Sequence, residues 1–394
     1  MIHRNVTSYL KSCFKKYPVV TVTGPRQSGK TTLVRNTFPR LPYVNLENLE
    51  TRQYATDDPQ RFLNEYSAGA IFDEIQNVPG LTSWIQVHID EIKKNSMFVL
   101  TGSRQFEVME TVSQSLAGRT AIIRLLPFSY QEIKGAFLPD SVDNILYTGF
   151  YPRLFDQKIE PVRALADYLA TYIERDIRKI THIHNLSLFQ KFIGLCAGRT
   201  GQIVNLVSLG NDTGISHTTA SEWLSILEAS YTVFLLRPYF TNTGKRLIKS
   251  PKLYFYDVGL ASHLLGIENH KHVKNHPLRG NLFENFIILD ILKQRYNRGL
   301  SNNLFFFRES SGYEVDLIYL DGGVPFPVEI KSGETISSEY FKGLEYFQKN
   351  FSAELTAKRG LIIYAGKNIQ NRQNFRICGY HKLDTVSRFI SSND

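Results

Sequence analysis

Cysteine is scarce in this 394-residue chain: Cys13, Cys196 and Cys378 stand far apart, an odd number with no CxxC spacing. That excludes a disulfide framework and a zinc site of the paired-cysteine kind, and it suits a reducing compartment. Long apolar runs are missing too. The opening MIHRNVTSYLKSCFKKYP has no extended apolar segment, and no stretch reaches the length of a membrane span. The expectation is a soluble, cytoplasmic protein. There is no internal repeat and no low-complexity segment. A hydrophobic share of 42% with 21% charged residues is that of a folded protein, and the length points to two or three domains. The net charge of +9 leaves DNA open as a candidate partner, since basic surfaces attract phosphates, although a solvated lysine surface gives the same number.

Three stretches have different grammar. From Tyr17 to about Tyr130, short β-branched runs (VVTVTG, LPYVNLE, AIFDE, MFVLTGS, AIIRLLP) alternate with helical segments, the pattern of a parallel α/β layer. From Gln131 to Asn275 helical periodicity dominates, with helices expected over Glu160–Lys179 and Leu186–Ala197. From Leu278 onward the chain returns to mixed α/β. The expected architecture is an α/β P-loop ATPase with a parallel sheet over residues 1–135, a mostly helical, winged-helix-like region over 136–275, and a nuclease-like α/β domain over 276–394.

The segment Gly24-Pro25-Arg26-Gln27-Ser28-Gly29-Lys30-Thr31, followed by Thr32, fits GxxxxGK[ST] between a strand and a helix. Its glycines let backbone N–H groups wrap a phosphate at a helix N-terminus. Lys30 is expected to reach the β- and γ-phosphates of ATP, and the Thr31 hydroxyl to ligate Mg²⁺. Ala70-Ile71-Phe72-Asp73-Glu74 is an apolar strand ending in two carboxylates: Asp73 is expected to hold magnesium and Glu74 to polarise the attacking water. Ser103, ahead of Thr101, stands where a strand tip senses the γ-phosphate, or it is a turn residue. Arg119 precedes the last core strand, so it is either a finger for the neighbouring subunit of a homo-oligomer or a basic helix cap.

In the middle, Asn205–Leu227 reads as two helices turning at Gly214, with Ser216 as N-cap and His217, Thr218, Ser221 and Glu222 outward. The strand-like YTVFLLRPYF and KLYFYD are then expected to form a wing, with Lys245, Arg246 and Lys249 as phosphate contacts. Near the end, Glu284 on a helix, Asp316 on a strand, and Glu329 and Lys331 sharing one face of another strand make the order E…D…ExK. Carboxylates so placed hold a divalent metal for phosphodiester cleavage, and the lysine steadies the charge. The rival reading is structural: Lys331 simply pairs with Glu329 or Asp316.

With GPRQSGKTTL, AIFDEIQNVPGL, LTGSRQF, SLAGRT, YIERDIR, LFENF and GYEVDLIY…PVEIKSG in place, nearly the whole chain resembles a prokaryotic family of AAA-type ATPases. These carry a winged-helix middle and a C-terminal restriction-endonuclease-like domain of unknown function. The resemblance implies ATP binding at Gly24–Thr31, a metal-holding Asp73, and a nuclease-type fold around Glu284, Asp316, Glu329 and Lys331. Arg104 departs from the small or polar residue expected there. Two functions follow from different classes: an ATP-dependent enzyme acting on DNA, or a nucleotide-gated protein-interaction switch whose nuclease-like domain is inactive.

Overall fold

The computed structural model describes residues 2–103, 108, 112, 114–135, 137, 140–173, 185–239, 249–351, 359–372 and 374–391. Arg104, Lys245 and Arg246 lie outside them.

The apolar runs near the N-terminus become β1 (Val19–Thr23), β2 (Tyr43–Asn45), β3 (Ala70–Asp73), β4 (Phe98–Gly102) and β5 (Thr120–Arg124), a five-stranded sheet of order β2-β3-β4-β1-β5. Every pairing in it is parallel. Residues one apart on a strand face opposite sides, so β1 sends Val19 to one core and Val20 and Val22 to another. Both faces are therefore buried, which is why these strands read as continuous apolar runs rather than alternations. Helix α1 (Thr7–Lys16) packs Leu10 and Cys13 beneath the sheet. Helix α2 (Lys30–Thr37) rises from the loop after β1, and α3 (Leu81–Ile92) follows β3. A short α4 (Tyr130–Lys134) leads out of the layer; Ser129 caps it in a reciprocal box with Glu132.

The middle region holds α5 (Leu206–Thr213) and α6 (His217–Ala229), joined at Gly214, whose φ of 93° suits glycine at a helix end. The Ser216 hydroxyl accepts the Thr219 N–H at 3.0 Å as N-cap of α6. The next two strands, β6 (Val233–Pro238) and β7 (Lys252–Phe255), pair antiparallel, as a hairpin should. They do not stand free as a wing. Strand β6 also pairs in parallel with β8 (Leu304–Arg308), so both belong to an eight-stranded mixed sheet. The physical reason is burial: five of the six β6 residues are buried, and a strand apolar on both faces needs cover on both.

That sheet continues through β9 (Glu314–Asp321), β10 (Val324–Lys331), β11 (Gly360–Tyr364), β12 (Gln370–Arg372) and β13 (Phe375–Gly379). Gly322 and Gly323, at φ of 59° and 90°, make the tight β9–β10 turn. Its register sets Val328 opposite Leu317, which brings Glu329 beside Asp316. Helix α7 (Arg279–Asn297) crosses the sheet with buried residues on every side, including Asn285, Asp290 and Lys293; α8 (Lys342–Asn350) covers its other face. The expected Glu160–Lys179 helix is regular over Pro161–Tyr168, widens to a π turn over Leu169–Ile173, and then leaves the described residues. No helix among the described residues is long and apolar enough to cross a membrane.

Candidate functional site

Because β1, β3 and β4 are parallel, their C-terminal ends gather Gly24–Thr31, Asp73–Glu74 and Thr101–Ser103 at one edge. Gly24 has a φ of 149°, and a Cβ there would sit 2.1 Å from the Leu125 carbonyl oxygen, so only glycine lets the loop leave the strand this way. Gly29 takes φ 89° at the mouth of α2, and Gln27 also takes a positive φ. Within the loop Gly24, Pro25, Ser28 and Lys30 are buried, Arg26, Gln27 and Gly29 are half-buried, and Thr32 is exposed on the first turn of α2. The Lys30 ammonium donates to the carbonyls of Gly24 (2.9 Å) and Pro25 (2.8 Å), folded back over the loop. Burial pushes it down to about 8 against the pull of Glu74 and Asp73. The buried Ser28 hydroxyl has no hydrogen-bond partner, a polar atom left in the loop's interior.

Asp73 is 5% exposed and joins the two motifs: its Oδ2 accepts from the Thr31 hydroxyl at 2.9 Å and from the Tyr43 hydroxyl at 2.6 Å. Thr101 donates to its Oδ1. Glu74 adopts the left-handed region at φ 57°, a costly conformation away from glycine and one that clusters at functional sites. Its carboxylate accepts from the Ser103 hydroxyl (3.0 Å), the Ser103 N–H (3.3 Å) and Gln76. Burial raises its pKa, but the Lys30 charge and the Gln76 and Ser103 hydrogen bonds prevail and hold it below the usual carboxylate range. In this state Ser103 and Thr101 therefore steady the two acids.

Arg119 is elsewhere. Its carbonyl accepts the Val19 N–H at the start of β1, the opposite end of the sheet from the loop. One five-residue strand separates them, roughly 16 Å. Its guanidinium is bidentate to Asp90 (2.7 and 2.8 Å), half-exposed.

Sequence reasoning missed Arg4. Its guanidinium donates to Ser28 O in the phosphate loop (2.7 Å), to Leu126 O (2.6 Å) and to the buried Glu132 carboxylate (3.0 Å), and it stacks 4.7 Å over Phe128. Beyond it a cavity of about 890 Å³ opens beside Gly29 and Thr32, lined also by Phe128, Pro152 and Phe155. The only sequence signal is an arginine before a short helix. Tyr43 was missed for the same reason, being one aromatic among 21 tyrosines.

The four C-terminal residues also meet, around an open cavity of about 510 Å³. Lys331 donates to Asp316 Oδ2 (3.1 Å) and Glu329 Oε1 (2.5 Å), and the Ile330 N–H donates to Asp316 Oδ2 (2.8 Å). Glu284 accepts from the Tyr254 hydroxyl (2.5 Å) and from Lys252 (3.0 Å). The expected metal set was Glu284, Asp316 and Glu329. Among the described residues no three Asp, Glu, His or Cys side chains are grouped to hold a metal ion, and two ammonium groups stand among these carboxylates. Burial and the Asp316 charge push Glu329 up to about 8, against the pull of Lys331, and its Oε2 has no partner. Burial likewise raises Glu284. Lys252 and Glu314, bound to each other at 2.5 Å in the same cavity, are further members that the sequence did not reveal.

Residues 16–134 match the family described as AAA domain, residues 139–271 a domain of unknown function (DUF8612), and residues 279–383 another (DUF4143). An uncharacterised protein of Mycobacterium tuberculosis is 28% identical over 370 residues, covering 93% of this chain and 80% of its own length. One of Haemophilus influenzae is 24% identical over 313 residues, covering 71% of this chain and 75% of its own. Among solved structures, a Walker-type ATPase of Pyrococcus abyssi aligns with TM-score 0.45 and 14% identity over 66% of this chain and 94% of its own. AMPPCP-bound DnaA from Aquifex aeolicus aligns with TM-score 0.30 and 14% identity over 57% and 85%. The stretch that matches the AAA domain family holds the loop Gly24–Thr31 and the strand end Asp73–Glu74 described above.

Proposed function

We propose that this chain binds Mg-ATP at Gly24–Thr32 and hydrolyses it, using the energy to switch how its middle and C-terminal regions engage a partner. The observation that carries the reading is the joined pair of motifs: the Thr31 hydroxyl lies 2.9 Å from Asp73, beside a lysine turned onto the phosphate loop. Two hard oxygen donors there fit magnesium, and the buried, unpartnered Ser28 hydroxyl fits a phosphate oxygen. When bound, magnesium offsets phosphate charge during transfer. Lys30 leaves the two loop carbonyls for the β- and γ-phosphates. Glu74, kept ionised, orients the attacking water. Ser103 holds that carboxylate and releases it toward the γ-phosphate. The cavity behind Arg4, with its aromatic wall of Phe128 and Phe155, suits the base. Arg119 sits too far away to serve its own site, so it serves a neighbour's in a homo-oligomer once it leaves Asp90.

Of the two readings of the remainder, one observation favours the nucleotide-gated switch: in the nuclease-like cavity Lys252 pairs with Glu284, and Lys331 with Asp316 and Glu329. In that reading the C-terminal region keeps a nuclease-like frame and does not cut. DNA stays a candidate partner through α6, where His217 and Thr218 are exposed beside an exposed Glu222. The experiment measures ATP turnover together with binding and cleavage of supercoiled, linear and branched DNA, with Mg²⁺ or Mn²⁺, across a salt series. Turnover lost in Glu74→Gln with ATP binding retained, and DNA left intact, supports the proposal; a steep salt dependence of binding identifies phosphate contacts. Cleavage that requires Asp316 refutes the switch reading, and unchanged ATP affinity in Lys30→Ala refutes the nucleotide site.

A further inference from the structure

Three hydroxyls hold the Asp73 carboxylate. Thr31, on the helix that follows the phosphate loop, donates to Oδ2 at 2.9 Å, and Thr101, on β4, donates to Oδ1. Tyr43 donates to the same Oδ2 as Thr31, at 2.6 Å. The threonines belong to the stretches gathered at the strand ends, whereas Tyr43 comes from β2, the edge strand of the sheet. Its register sets Tyr43 opposite Ile71 on β3. Residues two apart on a strand share a face, so Ile71 and Asp73 point the same way, and Tyr43 packs with Ile71 in the core that also takes Leu33 and Val34 of α2.

The ring of Tyr43 is held as well. Arg35 stands one turn beyond Thr31 on the same face of α2, and its guanidinium lies 4.7 Å over the centre of the Tyr43 ring. Helix α2 therefore grips Tyr43 twice, directly through Arg35 and through Thr31 by way of the aspartate. An open cavity of about 480 Å³ adjoins Thr31, Arg35, Tyr43 and Ile71. Tyr43 lines it half-buried, so taking its hydroxyl away leaves space that water can enter and creates no clash.

We infer that Tyr43 is a positioning residue of the nucleotide site: with its ring pinned by Arg35, its hydroxyl fixes the Asp73 carboxylate beside Thr31, the setting in which these two oxygens would hold magnesium with the nucleotide. The inference rests on the Mg-ATP reading above. An ionised carboxylate has about four acceptor positions, so the three hydroxyls orient Asp73 and still leave capacity for the cation. The Thr31 hydroxyl can keep donating to Asp73 while its oxygen faces the metal. Partners that orient a metal-holding side chain matter to the metal: losing one costs about 10–100-fold in affinity. Thr31 and Thr101 remain when Tyr43 is lost, which places the effect at the low end of that range.

The test measures binding of the ATP analogue AMPPCP by calorimetry on the full-length chain, once with Mg²⁺ and once with EDTA, and takes the ratio of the two affinities. In Tyr43→Phe, which keeps the ring under Arg35, the ratio is expected to fall about tenfold while the affinity in EDTA stays at the native value. Arg35→Met, which frees the ring and keeps the hydroxyl, should lower the ratio about threefold. Mn²⁺ bound together with AMPPCP, counted by electron paramagnetic resonance, should show the same order of weakening. An equal loss with Mg²⁺ and with EDTA makes Tyr43 a brace for the edge strand and overturns the inference. So does a Tyr43→Phe ratio equal to the native one when the native protein binds AMPPCP more tightly with Mg²⁺; the Mg-ATP reading then stands. Native protein that binds no AMPPCP, or binds it without regard to Mg²⁺, overturns that reading and the inference with it. Where Tyr43→Phe does not fold, the Arg35→Met ratio decides.

Discussion

Replacing Arg4 by methionine removes three hydrogen bonds at once while leaving an apolar stem over Phe128. The largest loss is at Glu132, whose side chain is fully buried and pairs with Arg4 at 3.0 Å. Stripping one partner from a buried ion pair costs about 3–5 kcal/mol, because the other charge stays buried. Glu132 still accepts the Asn5 and Ser129 N–H groups, each at 2.7 Å, which places its share at about 3 kcal/mol, the low end of that range. Ser28 O and Leu126 O each lose a charged donor, adding about 1 kcal/mol apiece at the low end. The expected destabilisation is about 5 kcal/mol for the N-terminal layer. Urea unfolding followed by circular dichroism reads the loss, and hydrogen exchange reads where it falls: the amides of Gly24, of residues 26–29 and of β1 should exchange faster while α7 keeps its protection. ATP affinity should drop about tenfold, the cost of ordering a loop no longer held, which corresponds to about 1.4 kcal/mol. Arg4→Lys should recover only part of this, since one ammonium cannot replace a three-way fork. If Arg4→Met unfolds at the wild-type urea concentration with unchanged loop exchange, Arg4 is not what holds the phosphate loop to the rest of the layer.

The other expectations are shorter. Lys30→Ala should weaken ATP binding by at least about tenfold, from loss of charge-assisted contacts worth about 1.5–3 kcal/mol, in calorimetry on folded protein. The folded Lys30 pKa of about 8 lies below its ordinary 10.5, so the apo fold binds fewer protons than the unfolded chain between those values. The associated stability penalty is fully present below about pH 8 and is relieved as pH rises toward 10.5. Phosphate raises that pKa again, so ATP binding at a pH just above about 8 should take up a proton, seen as an enthalpy that varies with buffer ionisation; a buffer-independent enthalpy refutes it. Glu329 shifts the other way, from 4.5 to about 8, so its contribution favours the fold at low pH and is lost as pH rises from 4.5 through 8. Glu329→Gln should therefore flatten the melting temperature against pH across that window. Arg119→Ala should bind ATP normally and hydrolyse slowly, and mixing it with Lys30→Ala should restore turnover; a protein that stays monomeric with ATP in ultracentrifugation refutes the shared site.

The parts visible in the sequence are those encoded over short distances. Strands β1, β3 and β4 announce themselves because both their faces are buried, and the phosphate loop because its glycines and lysine occupy consecutive positions. Glu329 and Lys331 were legible as neighbours because residues two apart on a strand share a face, and the turn at Gly322–Gly323 brings Asp316 beside them. Arg4 was not: its partners lie 24, 122 and 128 residues away, and no local pattern marks an arginine that folds back so far. Lys252 hid for a related reason. It begins a strand expected to be an exposed wing, where lysine is ordinary, and only the pairing of β6 with β8 carries it into the acidic cavity.

The β6–β8 pairing also governs how the molecule can be taken apart. A fragment beginning at Arg279 would keep β8 but lose β6, baring a strand edge whose Phe306 and Phe307 are buried in the whole chain. It would also lose Lys252 and Tyr254, leaving Glu284 without its two partners. Such a piece presents an open, aromatic edge ready to pair with its own copies, the usual start of aggregation. Insolubility of that fragment would report the cut rather than the biology. A truncation that begins before α5 and retains the hairpin keeps the sheet edge as it is in the intact protein.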